Sequence, residues 1–320
     1  MPQVHLALGS YYWLGHLDYD TALREYAIAE AGLPNHSDVL VPRAVLRLRQ
    51  GKPDEGFADL EKARQLDPGA ANIAYECAFN RDFARDFARA ETFYDRAIAL
   101  LPDYSYPYYW KAGLYLRWEG STQKARAVLD EARTMGLTDD PLLLRQRVRV
   151  DIFDRRYEEA IRELASGAPE VIAGDLGFVP RALLYAEAYG LMQRHDLERA
   201  YYDSARSVVS RQLQGHPDDP RLRSALGIAY AGLGRKQDAI REGQTGVELL
   251  PISKDANGGY YRAWDLARIY AMVGESGAAV DRLEHLLSIP GPLTAAWLRI
   301  DPTWDPLRGN PRFQRLVDRR

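Results

Sequence analysis

The sequence has a single cysteine, Cys77, and six scattered histidines in 320 residues. An internal disulfide is thereby excluded, and no CxxC or HxxxH pair offers a metal cluster, so Cys77 is expected as a buried structural thiol and no metal or other cofactor is expected. Apolar runs are short: none approaches the ~18 residues that a transmembrane helix needs. The opening MPQVHLALGSYYWLGHLDYD also lacks the basic start and unbroken apolar stretch of a signal peptide. Positive charge is not in excess, the formal balance being −3, which argues against a phosphate-neutralising surface and against nucleic acid as the main partner. Catalytic signatures are missing too. There is no GxxxxGK[ST] loop, no HRD or DFG segment and no GxSxG elbow, and Cys77 has no neighbouring base in the sequence, so the chain reads as non-enzymatic. The nearest glycine cluster, Ala231-Gly232-Leu233-Gly234, reads as a turn between helices.

What is present is an internal repeat. A block of the form (G)-x-(apolar)-x-x-A-hhxxh-x-x-A closes in a proline turn, as in LDYDTALREYAIAEAGLP (17–34), GKPDEGFADLEKARQLDP (51–68) and RDFARAETFYDRAIALLP (85–102). Its small residue falls at Ala22, Gly56, Ala90, Ala125, Ala160, Ala200, Ala239 and Ala279, at intervals of 34, 34, 35, 35, 40, 39 and 40. Small residues suit close helix crossings, and Gly51, Gly120, Gly234 and Gly274 stand where a first helix would end in a left-handed residue. Pro34, Pro68, Pro102 and Pro251 stop second helices, while Asp140-Pro141 and Asp219-Pro220 read as a cap and first helical position. No alternating strand pattern competes. Acidic residues interleave with Arg and Lys along the helices, as on solvated faces.

These features resemble the tetratricopeptide repeat, a helix–turn–helix unit of about 34 residues. The match is closest at Ala22, Tyr26, Ala29, Pro34 and at Ala90, Tyr94, Ala97, Pro102, and weaker where Gly167 and Ser207 replace the second alanine. The resemblance implies an all-α, right-handed superhelical solenoid of about eight repeats, near 3–36, 37–70, 71–105, 106–140, 141–178, 179–218, 219–257 and 258–290. A helical cap at 291–320 is expected to cover the last repeat with Trp297, Trp304, Leu307, Phe313 and Leu316. The segments LARIYAMVGESGAAVDRLEHLLSIP and RIDPTWDPLRGNPRFQRLV are similar to the ends of repeat regions in multidomain bacterial signalling proteins that carry a Ser/Thr kinase, cyclase or TolB-like part. This implies a scaffold or sensor module, cytoplasmic, or extracytoplasmic if an upstream anchor precedes the sequence.

In the family register, the fifth and ninth residues of each inner helix face a concave groove. Counted back from the aligned alanines, these are Tyr75 and Phe79, Trp110 and Leu114, Arg145 and Arg149, Tyr185 and Tyr189, and Trp264 and Arg268, with Arg117 further along the same wall. Aromatics offer contact area at low entropic cost, and paired arginines fork onto carboxylates. The groove is therefore expected to bind a peptide or protein segment, with an acidic or carboxylate feature. Aromatic packing between neighbouring helices is the competing reading of the same residues. A self-associating array, or a sensor of small ligands or glycans on Tyr/Trp platforms, are the other functional readings. The clamp positions of the family's chaperone-tail binders hold Ala7, Tyr11, Val41 and Val45 here, so a chaperone C-terminus is not the expected ligand. Arg43 and Arg147 fall at nominally interior positions.

Overall fold

The computed structural model describes residues 1–174 and 176–318. They form an all-α array of antiparallel helix pairs that divides into two compact units, one of residues 1–107 with 253–256, the other of 108–252 with the rest from 257. Among the described residues no helix is long and apolar enough to cross a membrane.

The first unit contains α1 (Pro2–Ser10, continued by a wider turn over Tyr11–Gly15), α2 (Tyr19–Gly32), α3 (Ser37–Arg49), α4 (Pro53–Leu66), α5 (Ala71–Phe83) and α6 (Phe87–Leu100). The second contains most of α7 (Ser105–Trp118), then α8 (Thr122–Thr134), α9 (Pro141–Phe153), α10 (Tyr157–Ala165), a hairpin of β1 (Val171–Gly174) and β2 (Gly177–Pro180), α11 (Arg181–Leu191), α12 (His195–Gly215), α13 (Pro220–Gly232), α14 (Lys236–Leu249), α15 (Gly258–Met272) and α16 (Ser276–Ser288). It ends in α17 (Ala295–Ile300), a tight turn of helix at Pro302–Leu307, and α18 (Pro311–Val317).

The turn inside each pair has one recurrent cause. A residue with positive φ ends the first helix at Leu17, Gly51, Arg85, Gly120, Arg155, Gln193, Gly234 and Gly274. Half of these are not glycine, although only glycine adopts that conformation without a side-chain penalty. Five residues further on, the second helix crosses its partner through a small side chain. Ala22, Ala90, Ala125, Ala160, Ala239 and Ala279 are fully buried, and a Cβ on Gly56 would lie 3.0 Å from the Ala44 carbonyl oxygen. Asp140 and Asp219 cap α9 and α13, accepting from the Leu142 and Arg221 backbone N–H groups at 2.8 Å.

The sixth pair corrects the sequence register. Ala200 is exposed; the residue five after Gln193 is Glu198, followed in pattern by buried Tyr202 and Ala205. The sizes of the crossing residues are exchanged here, because a Cβ on Gly190 of α11 would stand 2.6 Å from the Glu198 carboxylate. Glycine therefore occupies the first helix and the bulk sits on the second. The extra length of this repeat lies in the antiparallel hairpin and in α12, whose 21 residues span about 31 Å.

The two interior arginines are each paired with carboxylates. Arg43 forks onto Asp59 at 2.8 Å through Nε and Nη2 and also meets Glu30. Arg147 donates to Glu163 at 3.0 Å and to the Thr138 carbonyl at 2.9 Å. In the first unit, the inserted segment 253–256 is bonded in place: Tyr19 donates to Asp255 at 2.5 Å, Arg49 to the same carboxylate at 3.2 Å, and the Ala256 N–H to the Arg49 carbonyl at 2.7 Å.

The C-terminal segment contributes to more than the end of the array. Trp304, Leu307, Phe313 and Leu316 are buried, and α18 packs on α16 and α17. Trp297 instead reaches the inner helices of its unit, with its ring 5.1 Å from Phe153 and 5.4 Å from Trp264. Thr294 donates to the carbonyl of Arg117 at 2.5 Å.

Candidate interaction site

Inner-face positions can be counted from the left-handed turns, ten and six residues before each. In the first unit this gives Tyr75 and Phe79, whose rings stack at 6.2 Å. Tyr104 and Tyr106 stand edge-on to Tyr75 at 5.6 and 5.8 Å, forming an aromatic cluster around a half-buried ring.

In the second unit the same count gives Trp110 and Leu114 on α7, Arg145 and Arg149 on α9, Leu183 and Glu187 on α11, the buried Ser224 and Ile228 on α13, and Trp264 and Arg268 on α15. Tyr185 and Tyr189 are thus displaced from the expected face by the two-residue shift of the sixth pair, about 200° around α11. They stack with Tyr201 of α12, at 4.7 Å for Tyr185 and 5.4 Å for Tyr189, with planes within 20°. The position expected to hold Tyr189 holds Glu187, which accepts from Arg268 at 3.0 Å. This ion pair was not visible in the sequence register.

The remaining residues differ in exposure. Leu114 is fully buried and Arg117 nearly so, its guanidinium 5.6 Å from the Trp110 ring and donating to the Trp110 carbonyl at 3.2 Å. Trp110, Arg145, Arg149, Trp264 and Arg268 are half-buried. Arg149 lies over the Trp297 ring at 5.4 Å and donates to Gln146 at 2.7 Å. Tyr261 stacks on Trp264 at 5.9 Å, completing an aromatic wall with Trp297.

Electrostatics in this region are strongly perturbed. Burial would raise the Tyr109 phenol, yet Arg145, Arg149 and Arg117 together outweigh it and bring it down to about 8. Burial, reinforced by the like charge of Arg149, lowers the pKa of Arg145. Asp265 is shifted up by burial despite three neighbouring arginines, Arg262, Arg268 and Arg145. Arg262, itself buried, meets Asp265 at 3.2 Å and donates to the Leu176 carbonyl in the hairpin turn at 2.7 Å. The hairpin, absent from the sequence reading, therefore positions one of the site's cations. The region thus combines five arginines, Arg117, Arg145, Arg149, Arg262 and Arg268, with the carboxylates of Glu187 and Asp265 and the aromatic wall.

No protein-family model matches the chain, and no curated protein matches it. Among solved structures, one reported as the functional characterization of Pseudomonas aeruginosa pilF superposes with a TM-score of 0.51 at 15% identity, covering 65% of this chain and 91% of that one. A tetratricopeptide repeat protein from Parabacteroides merdae aligns over 90% of this chain and 93% of its own, at 13% identity and a TM-score of 0.39. The MamA protein aligns over 78% and 92%, at 16% identity and a TM-score of 0.32. Together with the helix-pair architecture, the first of these supports an all-α array of repeated helix pairs as the fold.

Proposed function

We propose that the protein is a non-enzymatic interaction module that holds a peptide or protein segment against the inner helices of its second unit. The observation that carries this reading is the recurrence of half-buried aromatic and cationic side chains at one register on three inner helices: Trp110, then Arg145 and Arg149, then Trp264 and Arg268. Large flat rings beside guanidinium groups favour a segment with an acidic or carboxylate feature. The aromatic cluster at Tyr75 and Phe79 is a separate candidate contact in the first unit. The likeness of the C-terminal segment to repeat regions of bacterial signalling proteins supports a scaffold or sensor role on the cytoplasmic side. A displayed library of random peptides supplies the test. Trp110→Ala and Trp264→Ala should each weaken a selected peptide by about tenfold or more, the loss expected for an interfacial aromatic anchor; unchanged affinity in both, with the helical circular dichroism intact, would remove the inner face as the site.

Self-association is the second reading, favoured by exposed apolar side chains on the first helix pair, Val4, Tyr11, Leu14 and Ile28. Light scattering across micromolar concentrations decides it, since a monomer throughout would exclude it.

A further inference from the structure

Residues 291–301 follow the last helix pair, yet they are seated on the inner helices of the second unit. Their helix, α17, has six residues and is cut off by proline on both sides, Pro290 and Pro292 before it and Pro302 after it. A helix of that length does not persist alone, so its form depends on the surface that receives it. That surface is the inner face of α7, α9 and α15. The Trp297 ring stands edge-on to Phe153 of α9 and Trp264 of α15, with the Arg149 guanidinium over it. Thr294 donates to the Arg117 carbonyl on α7, and the Ala296 carbonyl oxygen passes so near the turn after α7 that a Cβ on Gly120 would stand 3.3 Å from it. Trp297 is 5% exposed and Leu298 fully buried. The indole N–H is satisfied within the segment itself, by the Asp301 carboxylate four residues on at 2.9 Å, so the inner helices need supply only rings and a cation. The backbone of α17 packs mainly on α18, and the inner helices are met chiefly through side chains. The cover of the last repeat is made by other residues, Trp304, Leu307, Phe313 and Leu316.

We propose that α17 is an intramolecular occupant of the inner face, and that the partner is a helical segment of the same chemistry: an apolar face with a tryptophan and, one turn on, an acceptor for its indole N–H. The proposal rests on the inner-face reading above and names the segment which that face takes. The partner's tryptophan replaces Trp297 between Phe153, Trp264 and Arg149, releasing residues 292–301 while the turn of helix at Pro302–Leu307 and α18 stay in place. Self-occupancy then sets the partner's apparent affinity, which falls in proportion to the fraction of molecules whose face is open.

The test titrates a fluorescently labelled peptide of residues 292–303, PLTAAWLRIDPT, against the full chain as wild type and as Trp297→Ala, read by anisotropy. Trp297→Ala vacates the face and should bind the peptide about tenfold or more tighter than wild type, and a peptide that itself carries Trp297→Ala should bind neither chain. No binding by the folded variant chain, or equal binding by the two chains, overturns the proposal. Should Trp297→Ala lose its helical circular dichroism, hydrogen exchange of the wild type decides instead. The hydrogen-bonded amides of Trp297, Leu298 and Asp301 should then exchange about tenfold or more faster than those of α9 and α15, corrected for intrinsic rates, because the segment opens without the array. Exchange at the rate of α9 and α15 would make α17 part of the core and overturn the proposal. Library-selected peptides that are weakened by Trp110→Ala but indifferent to Trp297→Ala would keep the inner face as the site while overturning its self-occupancy, so the two readings fail separately.

Discussion

Replacing Tyr109 by phenylalanine should flatten one section of the protein's stability against pH. The phenol of Tyr109 is nearly buried and sits among Arg145, Arg149 and Arg117, which hold it at about 8, while an unfolded tyrosine titrates near its reference value of 10.0. Between these values the folded state has released a proton that the unfolded state still binds, so stability rises with pH from about 8 and levels off above 10; it is lost as pH falls back through 8. A depression of two units corresponds to about 2–3 kcal/mol at the upper end of that window. Cys77 acts in the opposite direction: burial pushes its thiol up to about 12, so its contribution falls as pH rises through the ordinary thiol range. Subtraction of the Tyr109→Phe curve removes that term because both proteins contain Cys77. Urea unfolding of wild type and variant at several values from pH 7 to 9.5 supplies the measurement. The difference between the two should grow in favour of wild type by about 1 kcal/mol or more per pH unit once past pH 8. A constant difference over the whole range would refute the electrostatic account of this cluster.

Two further outcomes follow from the fold. Gln193 holds a left-handed conformation at φ 58°, so Gln193→Gly should raise stability by about 0.5–1 kcal/mol in urea unfolding, the side-chain penalty exceeding the entropic cost of glycine; a loss of that size would contradict the turn assignment. The Cys77 thiol, buried and raised to about 12, should react with an aromatic disulfide reagent at pH 8 more than about a hundredfold slower in the native protein than in urea, whereas comparable rates would contradict its placement in the core.

How far the sequence reveals this structure depends on which residue performs each local task. The turns at Gly51, Gly120, Gly234 and Gly274 are legible because glycine marks the left-handed position. Those at Leu17, Arg85, Arg155 and Gln193 are not, since the same backbone is imposed on ordinary side chains by the helices they join. The register of the sixth pair fails for a related reason. The crossing keeps its volume by exchanging a small residue on one helix for one on the other, Gly190 against Glu198, and a search for a small residue on the second helix settles on Ala200 instead. That slip puts Tyr185 and Tyr189 on the wrong face of α11 and hides Glu187, the partner of Arg268. The hairpin at 171–180 consists of four-residue strands too short to show a period. Arg145 and Arg149 were legible as a pair one turn apart. Their surroundings were not, because these include Trp297, Tyr261 and Asp265, more than a hundred residues away in the chain.

The central claim is that a partner segment lies on α7, α9 and α15 in the second unit. Hydrogen–deuterium exchange of the full chain, with and without a library-selected peptide at saturation, addresses it directly. The account predicts added protection in peptides spanning Arg145–Arg149 and Trp264–Arg268, abolished in Arg149→Ala. Protection confined to other helices, or unchanged by Arg149→Ala, would contradict it.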